Sequence, residues 1–337
     1  MNFVGIDLHK RIIVICVVDK EGVVLTRRRF PCQETTDIRE YFAGLAPFQA
    51  VVEATASYDW LWVLLEPLAD RLVLAHPKKL RVIAESDRKS DRLDAQVLAE
   101  FLALKKIPQA FRPGPRQREH RALVRQRYRI RCRITSVRCR IRHVLSNYNA
   151  DRPDLFTVKG RAYLKTVQVS KSDRFVLDQL TEEWEQHGRR LVAVDRELLA
   201  FAKAAPVAEQ EARAVLESIP LVGDVTVDVI VSELGDVRRF HSQKGAVAYA
   251  GLAPGSRESA GRRRDLHITK AGSPLLRWAL IETAWRLVGK TRYWGMQYER
   301  LKRRGGPKKA IVAVARRLLC TIVSMLQRGQ RYRLAHD

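Results

Sequence analysis

Cysteine is sparse in this sequence, and the cysteines present are not spaced as metal ligands. There are five, an odd number, and none of them forms a C-x-x-C pair. Cys132 and Cys139 lie seven residues apart within a helical pattern, which favours packing over zinc binding. We therefore expect a reduced, cytosolic protein without a structural metal or a disulfide framework.

Long hydrophobic runs are also missing. No uninterrupted apolar stretch reaches the roughly 18 residues of a membrane-spanning helix, and no basic region followed by an apolar one opens the chain. We expect no membrane partner. The apolar fraction is nevertheless 46%, which is ordinary for a folded protein and argues against wholesale disorder.

Acidic residues are scarce relative to basic ones. The 62 Lys and Arg residues face 37 Asp and Glu residues, which gives a net charge of +25. An excess of this size calls for a polyanion, and nucleic acid is the first candidate, with a membrane surface the weaker one. The length of 337 residues suits two or three domains.

Residues 1–112 alternate between strand and helix signals. Residues 3–8, 12–18 and 23–30 are apolar or β-branched runs joined by short polar connections, which predicts a three-stranded antiparallel meander. Helices are predicted at residues 36–45 and 58–68, with short buried strands in "QAVVEA" and "RLVLA". A further helix begins at Pro77, and another covers "SDRLDAQVLAEFLAL" with Ser90 as its N-cap. This order predicts an α/β domain with a mixed sheet of the ribonuclease H-like kind.

Residues 113–205 are predicted to form an arginine-rich, antiparallel α-helical coiled coil. Two apolar seams with heptad spacing, near residues 130–144 and 177–201, support it, and they leave open whether the helices pair within one chain or between chains. Acidic partners at i+4 are almost absent between Arg121 and Arg142, so we expect nucleic-acid contacts rather than a merely solvated helix face. The predicted contacts are Arg121, Arg125, Arg129, Arg133 and Arg140.

Residues 206–337 are predicted to be mainly α-helical. The stretch "LESIPLVGDVTVDVIVSELG" is typical of a helix-hairpin-helix, in which the backbone at Gly223 approaches a phosphate, or else of a tight helix connection. A loop rich in glycine and arginine follows, carrying Ser256 and Ser259. Two more helices are expected at residues 274–288 and 308–327.

Four carboxylates are candidate metal ligands. Asp7 and Glu53 lie at the ends of predicted strands, and Asp91 and Asp94 are three residues apart on a predicted helix and so share a face. Converging carboxylates repel one another unless cations neutralise them, and two hard cations are the usual solution in phosphoryl transfer. Taken singly, each residue has an alternative as a turn former or an exposed helix residue.

The first half of the sequence resembles the DEDD transposases of the insertion-sequence 110 family. The resemblance lies in an Asp on one predicted strand, a Glu on another, and a D-x-x-D motif on a predicted helix. The second half resembles the same family in "IPLVGDVTVDVIVSELGD", "FHSQKGAVAYAGLAP" and "HITKAGSPLLRWAL". The resemblance implies a RuvC-like first domain whose Asp7, Glu53, Asp91 and Asp94 bind two magnesium ions, with manganese possible. It also implies donor and target DNA, a guide RNA encoded by the element, a homodimer or tetramer, and a bacterial, nucleoid-associated location.

The resemblance also selects the serine. Family members carry a nucleophile about five residues after the Gly-Leu-x-Pro proline, and counting from Pro254 this residue is Ser259, whereas Ser256 comes too early. Ser90 stands where the family often has Thr, and Ala260-Gly261 where Gly-Gly is common; neither change removes a chemical group. The expected phosphate contacts around this serine are Arg262, Arg263, Lys270 and Arg277.

These observations predict an RNA-guided recombinase that cuts and rejoins DNA through a covalent phosphoserine at a composite, metal-assisted site. A site-specific invertase is the nearest variant. A metal nuclease such as a junction resolvase is the rival enzyme, and it would use the carboxylates without Ser259. A nucleic-acid-binding protein without catalysis is the third alternative.

Overall fold

The computed structural model describes residues 1–55, 57–83, 91–259 and 262–333, with the side chains of residues 81–83, 91–93, 256–259 and 262–265 outside this description. The chain divides into two compact units, Met1–Arg112 and Pro113–Asp337. A further division of the second unit between residues 205 and 206 stays a prediction. Ser90, the predicted N-cap, lies outside the described residues.

A five-stranded mixed sheet forms the centre of the first unit. Its strands are β1 (Asn2–Leu8), β2 (Ile12–Val18), β3 (Val24–Pro31), β4 (Phe48–Glu53) and β5 (Arg71–Ala75), in the order β3-β2-β1-β4-β5. The first three strands are antiparallel neighbours, and β4 and β5 continue the sheet parallel to β1. The predicted meander and mixed sheet are confirmed.

Helices cover both faces of this sheet. They are α1 (Thr35–Ala43), α2 (Asp59–Leu65), α3 (Pro77–Ile83) and α4 (Asp91–Ala103). Residues of α1 and α2, among them Ile38 and Leu61, pack against one face of the sheet. Residues of α4, among them Ala95 and Leu98, pack against the other. Alternation along each strand therefore directs side chains to one of two apolar layers.

Two long helices dominate the first half of the second unit. They are α5 (Pro115–Ser146) and α7 (Lys171–Lys203), with the short α6 (Val158–Thr166) between them. Their predicted seams pack against each other within the chain, as Ile134, Val137 and Ile141 share a core with Leu177 and Trp184. Polar pairs fix an antiparallel direction: Arg127 with Asp195, Arg140 with Glu183, and Tyr148 with Asp173. Supercoiling of the pair stays a prediction.

The rest of the second unit is mostly helical. It contains α8 (Val207–Glu217), α9 (Asp224–Leu234), a 3-10 turn (Val237–Arg239), α10 (Gln243–Tyr249), α11 (Pro274–Lys290) and α12 (Arg292–Arg328). Helices α8 and α9 are joined by a turn that ends at Gly223, and whether they act as a helix-hairpin-helix stays a prediction. The span α12 consists of two helical parts, because Gly306 has non-helical backbone angles (φ 77°, ψ 169°) and Pro307 follows it. The second part begins next to the helix predicted at residues 308–327, and the first part was not predicted.

The loop predicted around the two serines is wrong in part, since most of it forms a β-hairpin. Strands β6 (Pro254–Ser259) and β7 (Arg262–Ile268) pair antiparallel, and only two residues separate them. The strand signal is weak in the sequence because β6 contains no bulky apolar residue.

Among the described residues, one helix is long and apolar enough to cross a membrane, by length and composition alone. It is α12, and half of its most apolar window is buried inside the structure. Its buried side chains, including Val314, Leu318 and Ile322, belong to the main core of the second unit, together with residues of α8 to α11.

Candidate active site and nucleic-acid interface

Two of the four predicted metal ligands lie side by side at one edge of the sheet. Ile6 of β1 pairs with Val52 of β4, so Asp7 and Glu53, the next residue of each parallel strand, are neighbours. Adjacent strands are about 4.8 Å apart. Both carboxylates are partly buried, and Asp7 Oδ2 lies 3.0 Å from Nε2 of His9. The carboxyl ends of the strands thus form an acidic edge, which we define as Asp7 and Glu53.

Helix α4 packs closely against β1, because β1 has a glycine at the point of contact. A Cβ on Gly5 would lie 2.0 Å from the carbonyl oxygen of Ala95 and 2.5 Å from the amide nitrogen of Ala99. The helix backbone therefore rests directly on β1, on the same face of the strand as Asp7. Asp94 immediately precedes Ala95 and is partly buried, and Asp91 is the first residue of the helix. The side chain of Asp91 lies outside the described residues.

The donor chemistry of this set fits a hard divalent cation, because carboxylate oxygens are the ligands that magnesium and manganese prefer. No group of three or more His, Cys, Asp or Glu side chains is arranged as a ready metal site within the described part of the chain. Asp91 is not among the side chains described. Asp7, Glu53 and Asp94 are the three predicted ligands whose side chains are described, and they belong to elements that contact one another.

Ser259 is the last residue of β6, and it is paired in register with Arg262, the first residue of β7. Side chains opposite each other on antiparallel strands have Cβ atoms about 5 Å apart. Glu258 is paired in the same way with Arg263. The side chains of these four residues lie outside the described part of the chain. The backbone register alone places a serine and a basic residue together where the hairpin turns.

The base of the hairpin is held by close backbone contacts. Gly251 has a φ of 70°, and a Cβ on Gly272 would lie 1.9 Å from the carbonyl oxygen of Tyr249, so both positions require glycine. Arg277 of α11 donates through Nη1 to the carbonyl oxygens of Ala250 (3.1 Å) and Gly272 (2.7 Å), and burial lowers the pKa of its guanidinium. Arg277, predicted as a phosphate contact, thus fixes the hairpin to α11.

Lys270 and Gly223, the other predicted contacts here, are both exposed. Lys270 has a positive φ of 53° beside the hairpin base. A Cβ on Gly223 would meet nothing within 4 Å, and its φ of −105° is open to any residue. The fold itself therefore gives no reason for glycine at the start of α9, which leaves room for a ligand to approach the backbone.

The arginines predicted on α5 divide into two groups. Arg125 makes a two-pronged pair with the buried carboxylate of Glu233, through Nε at 2.8 Å and Nη2 at 3.0 Å, which raises the pKa of the arginine. Arg121 donates to the carbonyl oxygens of Ser232 and Glu233 and to the hydroxyl of Tyr249. These two side chains fasten α5 to α9 and α10.

The second group points to solvent. Arg129 and Arg133 are exposed, and no described carboxylate pairs with either of them. Arg140 forms an exposed pair with Glu183, which contributes little to stability and can be exchanged for a phosphate. The scarcity of i+4 acids along α5 is real, but several partners come from distant parts of the chain. Arg129, Arg133 and Arg140 are the predicted arginines left to contact nucleic acid.

Two family models cover most of the chain. The DEDD-type transposase model of the IS110 family matches residues 4–150, and the "Transposase IS116/IS110/IS902 family" model matches residues 213–300. The first match contains the acidic edge and α4, and the second contains the hairpin with Ser259 and the helices on both sides of it. The chain belongs to the IS110/IS116 family of transposases.

Full-length relatives agree with this family. The chain is 27% identical to the "Transposase for insertion sequence element IS1111A" of Coxiella burnetii, over 99% of this chain and 92% of the relative. It is 23% identical to a "Probable family 20 transposase" of Pseudomonas aeruginosa, over 84% and 83%. It is 24% identical to the "Pilin gene-inverting protein" of Moraxella bovis, over 98% and 97%.

Membership in this family makes the protein a DNA transposase, an enzyme that cuts and rejoins DNA. Its DEDD-type domain is of a typically metal-dependent kind. Sequence reasoning missed Gly5 and Arg277 as residues that position the site in this transposase. The signal for Gly5 is a glycine inside an otherwise apolar strand, which indicates a close backbone approach.

We expect Gly5→Ala to destabilise the first unit by about 1–3 kcal/mol and to lower transposase activity, because the added methyl group meets backbone atoms of α4 that no rotamer change relieves. Gly44→Ala is the matched control, since its Cβ makes only ordinary contacts at 3.6 Å. Urea denaturation of both variants measures the effect. Equal unfolding midpoints would show that α4 can move away from β1 at little cost.

Proposed function

We propose that this transposase is an RNA-guided DNA recombinase that joins Ser259 covalently to DNA while it moves strands between donor and target. The carrying observation is the hairpin, which ends β6 at Ser259, pairs it with Arg262 and is anchored by Gly251, Gly272 and Arg277. A nucleophile has to be held still against its phosphate, and a hairpin tied at its base limits the motion of its tip.

The proposed step exchanges one phosphate ester for another. Ser259 Oγ forms a bond to phosphorus, the bond from phosphorus to a deoxyribose oxygen breaks, and the serine proton ends on that oxygen. Rejoining is the reverse, with a DNA hydroxyl attacking the phosphoserine and releasing Ser259. No energy-rich cofactor is required, because each step makes one ester for each that it breaks.

Charge on the attacked phosphate has to be neutralised. Arg262 is the nearest basic position in register with Ser259, and Arg263 and Lys270 lie further along the same segment. We propose that Asp7, Glu53, Asp91 and Asp94 hold two magnesium ions, or manganese, which supply Lewis-acid neutralisation when bound. The site is then composite, with the serine from the second unit and the carboxylates from the first, in a homodimer or tetramer.

Nucleic-acid binding by this transposase rests on its charge and on α5. Arg129, Arg133 and Arg140 expose guanidinium groups along one helix of a chain with a net charge of +25. A guanidinium group can bind one phosphate through two N–H donors and can stack on a base, which suits a folded RNA as well as DNA. We propose donor DNA, target DNA and an RNA from the same element as its partners, in the bacterial cytoplasm at the nucleoid.

A recombination assay tests this function. The purified chain is incubated with donor and target plasmids and Mg²⁺, with or without RNA transcribed from the sequences flanking the gene, and new DNA junctions are sequenced. We expect junctions only when RNA is present, at a target that follows changes in the RNA sequence. Junctions that form equally well without RNA would contradict RNA guidance.

Two outcomes would favour other functions. Inversion of a DNA segment without RNA would indicate a site-specific invertase, the alternative that the full-length similarity to the pilin gene-inverting protein favours. Cleavage without joining, unaffected by loss of Ser259, would indicate a metal-dependent nuclease or junction resolvase that relies on the carboxylates alone.

A further inference from the structure

A groove of about 860 Å³ lies within the second unit, outside the hairpin that carries Ser259. Its walls come from α5, the start of α9 and α11. The floor is apolar and belongs to a small separate core made of Val124, Leu198, Val229, Leu275 and Ala279. The groove has the volume of a small-molecule site, and nothing in the proposed serine chemistry uses it.

Two large aromatic side chains are exposed at this groove. Tyr128 of α5 is 38% exposed and Trp278 of α11 is 41% exposed, and their ring centroids are 5.7 Å apart at a tilt of 52°. Each ring therefore contacts the other on one side and leaves part of its surface open to the groove. A flat, rigid aromatic surface of this kind stacks on nucleobases, whatever their sequence.

Charged groups surround the aromatic pair. Arg131 and Arg286 line the groove, and neither pairs with a carboxylate among the described residues. Arg127 also lines it, although its guanidinium is bound to Asp195. These cations suit a phosphate backbone. The carboxylates of Asp224 and Glu282, on the same walls, can accept hydrogen bonds from the amino group of a base.

We propose that this groove binds one unpaired nucleotide of an RNA, with its base stacked on Trp278 and Tyr128 and its phosphates near Arg131 and Arg286. The proposal rests on the proposed function in taking RNA as a partner, and it adds the site that reads an unpaired base.

The shape of the groove favours an unpaired nucleotide over a duplex. A paired base is stacked between its neighbours and reaches a pocket only after it has been unstacked. Loops and bulges of folded RNA already present splayed bases, and aromatic side chains are what such bases stack on. RNA is therefore the source of unpaired bases that fits this groove without the melting of a DNA substrate.

Binding of a fluorescein-labelled single-stranded RNA, followed by anisotropy, tests the proposal on the full chain. We expect Trp278→Ala to weaken this binding by about tenfold or more, the usual effect of removing one stacking partner. Trp278→Phe should keep most of the affinity, since it retains an aromatic face. Replacing one uridine of the RNA by 4-thiouridine should give a photo-crosslink to Tyr128 or Trp278.

Trp285→Ala is the matched control. Trp285 lies on the same helix α11, is 44% exposed and packs on Tyr298 away from the groove. We expect RNA binding by this variant to equal that of the unchanged chain. Thermal melting of both alanine variants shows whether either has lost its fold, and the Trp278→Phe comparison remains informative if the alanine variant has.

Four results would overturn the assignment. Equal RNA affinity of Trp278→Ala and Trp285→Ala, or an equal loss for a fully paired RNA duplex, would show that the groove does not hold an unpaired base. An equal loss for single-stranded DNA of the same sequence would overturn the choice of RNA. A chain that binds none of these nucleic acids would overturn the proposed function too, whereas the other results leave it standing.

Discussion

Replacing Ser259 with alanine is expected to abolish the covalent bond between this transposase and DNA. Alanine can occupy the same place in the strand, but it lacks the hydroxyl oxygen that we propose attacks phosphorus. The measurement uses a labelled DNA substrate that traps the intermediate because its cleaved end diffuses away. The adduct appears as a slowly migrating band on a denaturing gel, and we expect no such band with Ser259→Ala.

Ser256→Ala is the matched control. It lies on the same strand, is paired with Asp265 rather than with an arginine, and stands three residues before Ser259. We expect the adduct to form with this variant at close to the normal rate. A band that survives Ser259→Ala but disappears with Ser256→Ala would transfer the nucleophile to Ser256, and a band that survives both changes would end the serine mechanism.

Local patterns were enough to predict the first unit. Its strands are continuous apolar or β-branched runs with polar connections, and this pattern alone predicts the meander, β4 and β5. The ends of those strands fix Asp7 and Glu53 as neighbours, because parallel strands end at the same edge of a sheet. The pattern that predicts the strands in this unit therefore also predicts where its two carboxylates lie.

The hairpin shows where local pattern fails. β6 and β7 have few apolar residues, and arginines stand opposite each other at Arg257 and Arg264. Propensity and charge both disfavour strands at these positions. The hairpin is held from outside instead, by the glycine contacts at its base and by Arg277, residues whose role depends on helices that are separate in sequence. Tertiary contacts override a weak local preference.

The prediction that the α5 arginines all contact nucleic acid is wrong in part for a related reason. Spacing along one helix identifies partners only three or four residues away. The carboxylate that binds Arg125 is Glu233, 108 residues further on, and the one that binds Arg127 is Asp195, 68 residues further on. Counting only the acidic residues at i+3 or i+4 therefore overestimates the number of arginines that are free to bind nucleic acid. Only the folded chain separates the arginines that hold helices together from the exposed ones.

Replacing Asp7 with asparagine is expected to slow adduct formation by on the order of a hundredfold to a thousandfold, the usual cost of removing one group that stabilises charge in a transition state. Asparagine preserves the shape of the side chain and the fold of β1, but it removes a negative charge from the acidic edge. Single-turnover adduct formation at fixed Mg²⁺ measures the rate, and Glu53→Gln should behave in the same way.

Asp70→Asn is the matched control for these two variants. Asp70 is exposed and directly precedes β5, so it lies at the opposite edge of the same sheet. We expect it to leave the rate of adduct formation unchanged and the dependence on Mg²⁺ concentration intact. DNA affinity, measured separately by filter binding, should change little in all three variants, since a carboxylate does not attract the DNA phosphates.

Mixing two inactive chains then distinguishes how the composite site is built. Asp7→Asn chains still carry Ser259, and Ser259→Ala chains still carry the acidic edge. If the site forms between chains, the mixture should form part of the normal amount of adduct, and the DNA should be attached only to the Asp7→Asn chain. If the site forms within one chain, the mixture should stay inactive. Normal adduct formation by Asp7→Asn alone, in the presence of EDTA, would contradict any role for metal held at Asp7 and would leave Ser259 to be activated by the arginines of its own hairpin.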